Sequence, residues 1–593
     1  MELQNIALNK NYRYIGVKPM GYYADLDGTK LTDGKDDFSW SDLVGWDGVK
    51  ETVKIEIDLE EVYDNVVCAS AYFLMGAAAS VGLPDKVEVS VSSDGKKYLS
   101  VGQGVRLPQN VTDNRMFEYK VEFEPLPIRY VLFTITPNPH IGWCMLSELK
   151  VYSNQSVFYD PNRQSSFAGL PRVLEVNGDS AKISWSTKEE INCQCKLRKK
   201  SRPDKDITVI NLDKALEHEL FLTDLLPQTE YEFLIYANES VKTISFCTEE
   251  LLIKRGPILG LSDDGHLQIS FETNALGFGY VEYCLIEKPD IVYFQESLQK
   301  RHSEGCHYVA ILSDLEKGKR YGYRVKLDYK RRSVSSPVYE IEAFDKEDKT
   351  DFTFLVYGDT QHALSQEKVT NEMQKVKDVD FVLHVGDLVN QPGNVLDWEA
   401  LFKYSGNLMA RALFFPTLGN HDAYHYRYFE YFDLLGNKTY YSFLYGPLHV
   451  IALDSSNESA LSLEQLKDQI EWLKEELNGS TQPYKIVFLH HPLFTSFYSD
   501  DTKEDLVATL SNLFTKHKVT LVFSGHAHIY DHIEKDGVHY VVTGGGGGCE
   551  IAKNSSPFNA PLHFVKVDVT DNGLKVTAIK PGGEVVDSFT IKQ

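Results

Sequence analysis

Five stretches of this chain end in side chains that can hold a cation, and an apolar run leads into each. Phe352-Thr-Phe-Leu-Val-Tyr-Gly358 leads to Asp359, and Phe381-Val-Leu-His-Val-Gly386 leads to Asp387. A third run, Phe414-Phe-Pro-Thr-Leu-Gly419, ends in Asn420-His421-Asp422. The fourth, Lys485-Ile-Val-Phe-Leu, ends in His490-His491-Pro492, and the fifth, Val519-Thr-Leu-Val-Phe-Ser-Gly525, in His526-Ala-His528. A short continuous apolar run followed by glycine predicts a buried parallel strand. In an open α/β sheet, groups at the carboxyl ends of neighbouring strands share one crevice. Asp359 and Asp387 are therefore expected side by side, where two carboxylates repel unless a cation stands between them. One histidine at a strand end is ordinarily structural, but five such endings in order point to a site for two metal ions. His526 and His528, two apart on an extended segment, project the same way and can bracket metals about 3.5–4 Å apart. Hard oxygens mixed with imidazoles favour Fe, Mn or Zn.

This order of blocks resembles the metallophosphoesterase superfamily, the calcineurin-like and purple acid phosphatase group. Its pattern is Asp-x-(His or Gly), Gly-Asp-x-x-(Asp, Asn or Tyr), Gly-Asn-His-(Asp or Glu), a histidine after an apolar strand, and Gly-His-x-His. The resemblance covers residues 350–593. Tyr530 and the segment 583–591 are similar to the purple acid phosphatase branch in particular. Residues 440–454 resemble that family's hairpin into a core strand, and 469–473 the helix that follows.

The resemblance implies an α/β domain with two central sheets flanked by helices. It implies that Asp387 bridges both metals, that Asp359 and His528 serve the first, and that Asn420, His490 and His526 serve the second. A hydroxide held on the metals would attack phosphorus in line, with His421 protonating or steadying the leaving oxygen. The expected substrate is a small phosphorylated molecule, contacted by Asn420, His421, His491 and Tyr424. Phosphomonoester hydrolysis is favoured by Tyr530 and the C-terminal segment. A phosphodiesterase is the alternative, and a glycan- or surface-binding protein with a degenerate hydrolase domain is another.

Two positions depart from the purple acid phosphatase pattern. Asn390 stands where that branch has a tyrosine ligand to ferric iron, so the protein is expected not to be purple, and Asn390 is expected to hydrogen-bond His421. Gln361 stands where the wider family often has His or Gly, and its amide oxygen would be a weak metal ligand; His362 beside it is expected to point elsewhere. His384, inside a strand, is expected in the core. The five glycines 544–548 are not followed by Lys-Ser/Thr, which predicts a tight turn beside the site rather than a nucleotide loop.

The chain has 593 residues and a formal net charge of −24. That balance disfavours nucleic acid, which wants a basic face, but not a small phosphate ester met by the site's own cations. No apolar run approaches the length of a transmembrane helix. Met1-Glu-Leu-Gln-Asn carries no visible signal peptide, as would also hold for a chain beginning after a removed one. Eight cysteines are scattered and imply no disulfide framework.

Residues 1–155 alternate as half-buried strands, Val53/Ile55/Ile57/Leu59 and Val87/Val89/Val91 among them, and resemble a discoidin-type, galactose-binding-like jelly roll. Such a module implies a cell-surface glycan partner. Asp25, Asp27 and Asp33 are a candidate calcium site, and Trp40 and Trp46 are read as core. Residues 165–250 resemble a fibronectin type III sandwich, with Leu225-Leu-Pro-Gln-Thr-Glu-Tyr231 as its tyrosine corner. Residues 252–347 resemble the β-sandwich before the catalytic domain of plant purple acid phosphatases, with a boundary in the charged stretch 344–350. The expectation is thus a multidomain chain: a jelly roll and two β-sandwiches, all β, then the α/β metallophosphoesterase domain. These modules suggest export to the periplasm, cell surface or medium, with a cytoplasmic location as the alternative.

Overall fold

The computed structural model describes residues 3–592 apart from 26, 37–38, 49–50, 76–80, 105–114, 138–142, 158, 160–164, 206, 303–304, 344–348, 362, 394, 423–424, 456–462, 497–503 and 549–561. The chain divides into two compact units, Met1–Leu251 and Leu252–Gln593.

The first unit is all β. A nine-stranded sheet includes Val53–Met75, Lys86–Ser92 and Arg115–Thr136. Val87 faces Ile135, Val89 faces Phe133 and Val91 faces Val131, and these residues are buried with Val53, Ile55, Ile57 and Leu59. A one-residue slip would turn this whole apolar set to solvent, which is what fixes the register. A five-stranded sheet follows, with Trp185 stacked on His218 and packed near Phe233. The Leu226 N–H donates to the Tyr231 hydroxyl at 2.8 Å, the tie that a tyrosine corner makes. Trp46 is core, against Tyr14, whereas Trp40 is half-buried beside Tyr23, which also meets Trp143.

The three aspartates read as a calcium site do not converge, which corrects that expectation. Among the described residues, no group that could hold a metal includes them. The Asp25 carboxylate is occupied by the hydroxyls of Tyr12 and Tyr14 and by the Gly28 N–H. Asp33 pairs with Lys35 at 3.1 Å, and Asp27 is exposed. Donors already occupy both Asp25 oxygens.

The second unit holds three sheets, and the aromatic faces of two of them meet. One has ten strands, the other six. Strands Phe352–Tyr357, Val379–His384 and Leu413–Pro416 run parallel in the first. In the second, Leu448–Ala452, Tyr484–Phe488, Leu521–Ser524 and Val538–Thr543 run parallel. Between the sheets, Phe415 stacks on Phe443 at 4.1 Å, and Phe381 meets Phe443 edge-on at 5.7 Å. The outer faces are covered by helices: α1 (Ala363–Met373) and α2 (Val395–Met409) on the first, α4 (Leu463–Gly479) and α5 (Glu504–Lys516) on the second, with short α3 (Tyr426–Tyr431) beside α2. Burial on both faces explains why these strands read as unbroken apolar runs. No helix among the described residues is long and apolar enough to cross a membrane.

Strand pairing crosses the boundary expected near residue 347. Ile253–Leu261 pairs parallel with Leu413–Pro416 and antiparallel with Leu267–Thr273, so the preceding β region extends the ten-stranded sheet. Arg255 and Glu272 form a buried ion pair, and the guanidinium lies 4.5 Å from the Tyr431 ring centre. His307 meets Asp433 at 2.5 Å, and the Tyr323 hydroxyl donates to the Ala410 carbonyl at 2.7 Å. The Glu316 N–H donates to the Tyr321 hydroxyl at 2.9 Å, a second tie with the spacing of the first unit's corner.

Candidate metal centre

Both sheets present the carboxyl ends of their parallel strands to one crevice. There the backbone turns into the left-handed region at Asp359 (φ 57°), Asp387 (φ 54°) and His526 (φ 64°). Asp and His tolerate that region better than most residues, at a cost on the order of 1–2 kcal/mol each. Main-chain hydrogen bonds hold the strain. The Asp359 N–H donates to the Gly386 carbonyl at 2.9 Å and the Thr360 N–H to the Asp387 carbonyl at 3.0 Å. The buried Asp422 carboxylate accepts from the N–H groups of Gly419 (2.8 Å), Asp387 (2.9 Å) and Leu388 (3.0 Å), tying two blocks together.

The side chains then converge. Ligand atoms of Asp359, Asp387 and His490 lie within 4.8 Å of one another, as do those of His490, His491 and His526. His490 Nε2 is 3.0 Å from Asn420 Oδ1 and 3.4 Å from Asp387 Oδ1. His526 Nδ1 is 2.9 Å from the same Asn420 oxygen, and His528 Nε2 is 3.4 Å from Asp359 Oδ1. His490 Nδ1 stands 2.8 Å from the Val385 carbonyl, which can only accept. Nδ1 therefore carries the hydrogen, and Nε2 faces oxygen acceptors with room for a cation or a shared proton. A convergence of carboxylates, an amide oxygen and imidazoles is a donor set that fits metal ions.

Charge follows the same logic. Burial alone would lower the His490 imidazole, but the Asp387 and Asp359 carboxylates raise it to about 9. Burial would raise Asp387, yet His490 and His421 hold its carboxyl well below the usual range. His491 is pushed down to about 2 by burial and by His490 and His526.

Residues 352–530 match the family model of calcineurin-like phosphoesterases. The chain carries a calcineurin-like metallophosphoesterase domain. A probable purple acid phosphatase 20 of Arabidopsis thaliana is 26% identical over 226 residues, 33% of this chain and 52% of that protein. The Fe(3+)-Zn(2+) purple acid phosphatase 12 of the same plant is 34% identical over 95 residues, 15% of this chain and 20% of its own length. The chain thus spans about half the length of the first of these relatives or less. The structure of the purple acid phosphatase PPD1 from yellow lupin (Lupinus luteus) seeds superposes with a TM-score of 0.50 at 16% identity, covering 71% of this chain and 96% of that one. At that identity the likeness concerns the fold.

Within the metallophosphoesterase domain, several expected contacts take a different form. His421 Nδ1 is bonded at 2.8 Å to the main-chain carbonyl of Asn390, where sequence reasoning pictured the side chain. The turn after Asp387 delivers that carbonyl to the ring, so this tie is independent of the side chain at 390. Gln361 offers its amide N–H to Asp387 Oδ2 at 2.7 Å, where sequence reasoning pictured its amide oxygen on a metal. Tyr424 and His362 lie outside the described residues. Tyr428 is buried, bonded to the Pro416 carbonyl at 3.0 Å. His384 is fully buried, its imidazole pushed down to about 3 by burial. Sequence reasoning quoted Asp422 without giving it a role and did not single out Ser455. Asp422 closes the Gly-Asn-His-Asp block and was the legible one of the two.

The glycine run lies against the same groups. The Gly548 N–H donates to the Asp359 carbonyl at 2.6 Å, and a Cβ at 548 would stand 2.4 Å from His528 Cε1. Gly548→Ala is therefore expected to displace His528, lowering bound metal from two toward one ion per chain and activity about 10–100-fold, as for other disturbed ligand supports. Metal analysis and an esterase assay check this. Metal uptake should also be pH-dependent. In the metal-free protein His490 holds a proton up to about pH 9, and a metal must displace it. Affinity is expected to rise about tenfold per pH unit between roughly pH 7 and 9, then level off, with one proton released. Calorimetry in buffers of different ionisation heat reads that proton.

Proposed function

We propose that this protein hydrolyses phosphoric esters, monoesters in preference to diesters, at a dinuclear metal centre in residues 350–593. The observation that carries the reading is the convergence of Asp359, Asp387, Asn420, His490, His526 and His528 at the carboxyl ends of both sheets. Asp387 would bridge two metals, with Asp359 and His528 on the first and Asn420, His490 and His526 on the second. Fe, Mn and Zn suit the set, and one relative's name specifies Fe(3+) and Zn(2+). Bound there, the two ions activate water and neutralise the charge on the transferring phosphoryl group.

The protein's own groups do the rest. The Asn390 carbonyl holds the His421 ring hydrogen at Nδ1, while the main-chain N–H of His421 donates to Asp387 Oδ1 at 2.8 Å. The ring is thereby fixed, and Nε2 is available to carry the proton passed to the leaving oxygen. His491 and Asn420 face the same crevice and would contact the phosphoryl oxygens. Preference for monoesters rests on the Tyr530 and C-terminal resemblance; in the fold Tyr530 donates to Asp587 at 2.8 Å, joining those two segments. Hydrolysis of diesters is the second reading, favoured by Asn390 and Gln361. Export, and a glycan contact through the half-buried Tyr23, Trp40 and Trp143, are proposed on the modular architecture alone.

The test compares p-nitrophenyl phosphate with bis-p-nitrophenyl phosphate, adding Mn²⁺, Zn²⁺ or Fe²⁺ in turn. A metal-dependent rate on the monoester well above that on the diester supports the proposal. The reverse preference makes the protein a phosphodiesterase, and no metal-dependent rate with no bound metal sinks both.

A further inference from the structure

The loop that orients His421 is itself gripped by side chains of two helices. We propose that Arg427 is a positioning residue for the proton donor: it holds residues 390–393 so that the Asn390 carbonyl keeps the His421 ring aimed at the leaving oxygen. This rests on the phosphoester-hydrolase reading above and goes beyond it.

Four consecutive residues form the loop. The Asn390 carbonyl lies 2.8 Å from His421 Nδ1. The main-chain groups that follow are bonded to α2 and α3 instead. The Gln391 N–H donates to Asp397 Oδ2 at 2.8 Å. The Pro392 carbonyl accepts from Trp398 Nε1 at 2.9 Å and from Arg427 Nη1 at 3.0 Å. The Gly393 carbonyl accepts from the same Nη1 at 2.8 Å. A carbonyl oxygen has two acceptor positions, and at Pro392 one is taken by α2 and the other by α3. Nη1 of a guanidinium carries two hydrogens, so both carbonyls can be served at once. With 391, 392 and 393 all fixed, the direction of the 390 carbonyl is fixed with them.

Arg427 reaches the loop from the segment that also carries His421. It follows His421 by six residues and lies in the first turn of α3. Between them, the His425 N–H donates to the Asp422 carbonyl at 3.0 Å. The Asp422 carboxylate accepts from the N–H groups of Asp387 and Leu388, just before the loop. One segment therefore holds the loop at three points: Asp422 before it, His421 at its first residue and Arg427 at its last two. Arg427 is buried, its guanidinium 5.1 Å from the Tyr426 ring centre. Hydrogen bonds from a charged donor are stronger than those between neutral groups, which suits a clamp on main-chain carbonyls. Misplacing a reacting group by about 1 Å can cost on the order of 10²-fold in rate, so a clamp two contacts away from the ring bears on kcat.

The experiment uses the full-length protein, with R427M, R427K and W398F made alone and combined with H421A. Rates on p-nitrophenyl phosphate and on an alkyl phosphate are measured beside metal per chain. R427M keeps much of the apolar stem but donates nothing. It is expected to lower kcat about tenfold on the aryl ester and at least about threefold more on the alkyl ester, with KM and metal content unchanged. R427K keeps a charged donor without the planar fork and should recover part of that loss. W398F removes a single donor to Pro392 and should give a smaller loss of the same kind. Combined with H421A, none of the three should lower the rate further, because the group they position is gone. Equal losses on both esters overturn the proposal, as does a loss that persists in full beside H421A, a lower metal content, or a raised KM at unchanged kcat. If R427M does not fold, R427K and W398F carry the same comparison. A wild-type protein without metal-dependent hydrolysis sinks the underlying function and this inference with it, whereas an active one with additive losses sinks the inference alone.

Discussion

Asp387→Asn is expected to reduce phosphomonoester hydrolysis on the order of 10³-fold or more and to leave fewer than two metals per chain. Losing a mere hydrogen-bond partner of a ligand costs about 10–100-fold, and Asp387 is proposed as the bridging ligand itself. Its carboxylate is almost wholly buried. Oδ1 receives the His421 N–H at 2.8 Å and lies 3.4 Å from His490 Nε2, while Oδ2 receives the Gln361 amide at 2.7 Å. Asparagine keeps the shape but loses the charge that opposes metal-to-metal repulsion. Its amide must also turn a second NH₂ toward either Gln361 or the His421 N–H, setting donor against donor. Metal analysis and the rate on p-nitrophenyl phosphate read both effects. A variant with two metals and a rate within tenfold of wild type would refute the bridging role.

His421→Ala is expected to act differently, lowering kcat about 10²–10⁴-fold with metal content unchanged. The ring is oriented by the Asn390 carbonyl at 2.8 Å, and none of the groups of clustered ligand atoms contains it. If it passes a proton to the leaving oxygen, the loss must depend on the leaving group. A nitrophenolate departs with little help, whereas an alkoxide needs the proton. The decrease should therefore be at least tenfold larger for an alkyl phosphate than for p-nitrophenyl phosphate. Equal losses on both would assign His421 to substrate binding alone, and loss of metal would make it a ligand.

Comparing the two replacements separates what holds the metals from what moves a proton. Asp387 and His421 are tied by reciprocal contacts of the same two loops, through Asp422 and the Asn390 carbonyl, and His490 by the Val385 carbonyl of the other sheet.

The sequence by itself determined the ligand blocks, their order and the strands that carry them. Each depends on a local pattern: an apolar run buried on both faces, then a glycine that permits close approach, then a residue that tolerates a left-handed turn. Asp359, Asp387 and His526 show all three. It did not determine which atom of a neighbour each ring would meet. The Asn390 contact comes from a carbonyl, and every residue except proline offers the same main-chain groups, so no residue type announces it. The Val385 carbonyl sets the hydrogen on His490 from a distant strand, and no local spacing encodes that. Tertiary structure alone also decided that the β region before residue 347 continues the catalytic sheet, because the single registered pair Leu259–Leu413 joins strands more than a domain apart in sequence. It likewise decided that Tyr12 and Tyr14 both donate to Asp25 Oδ2.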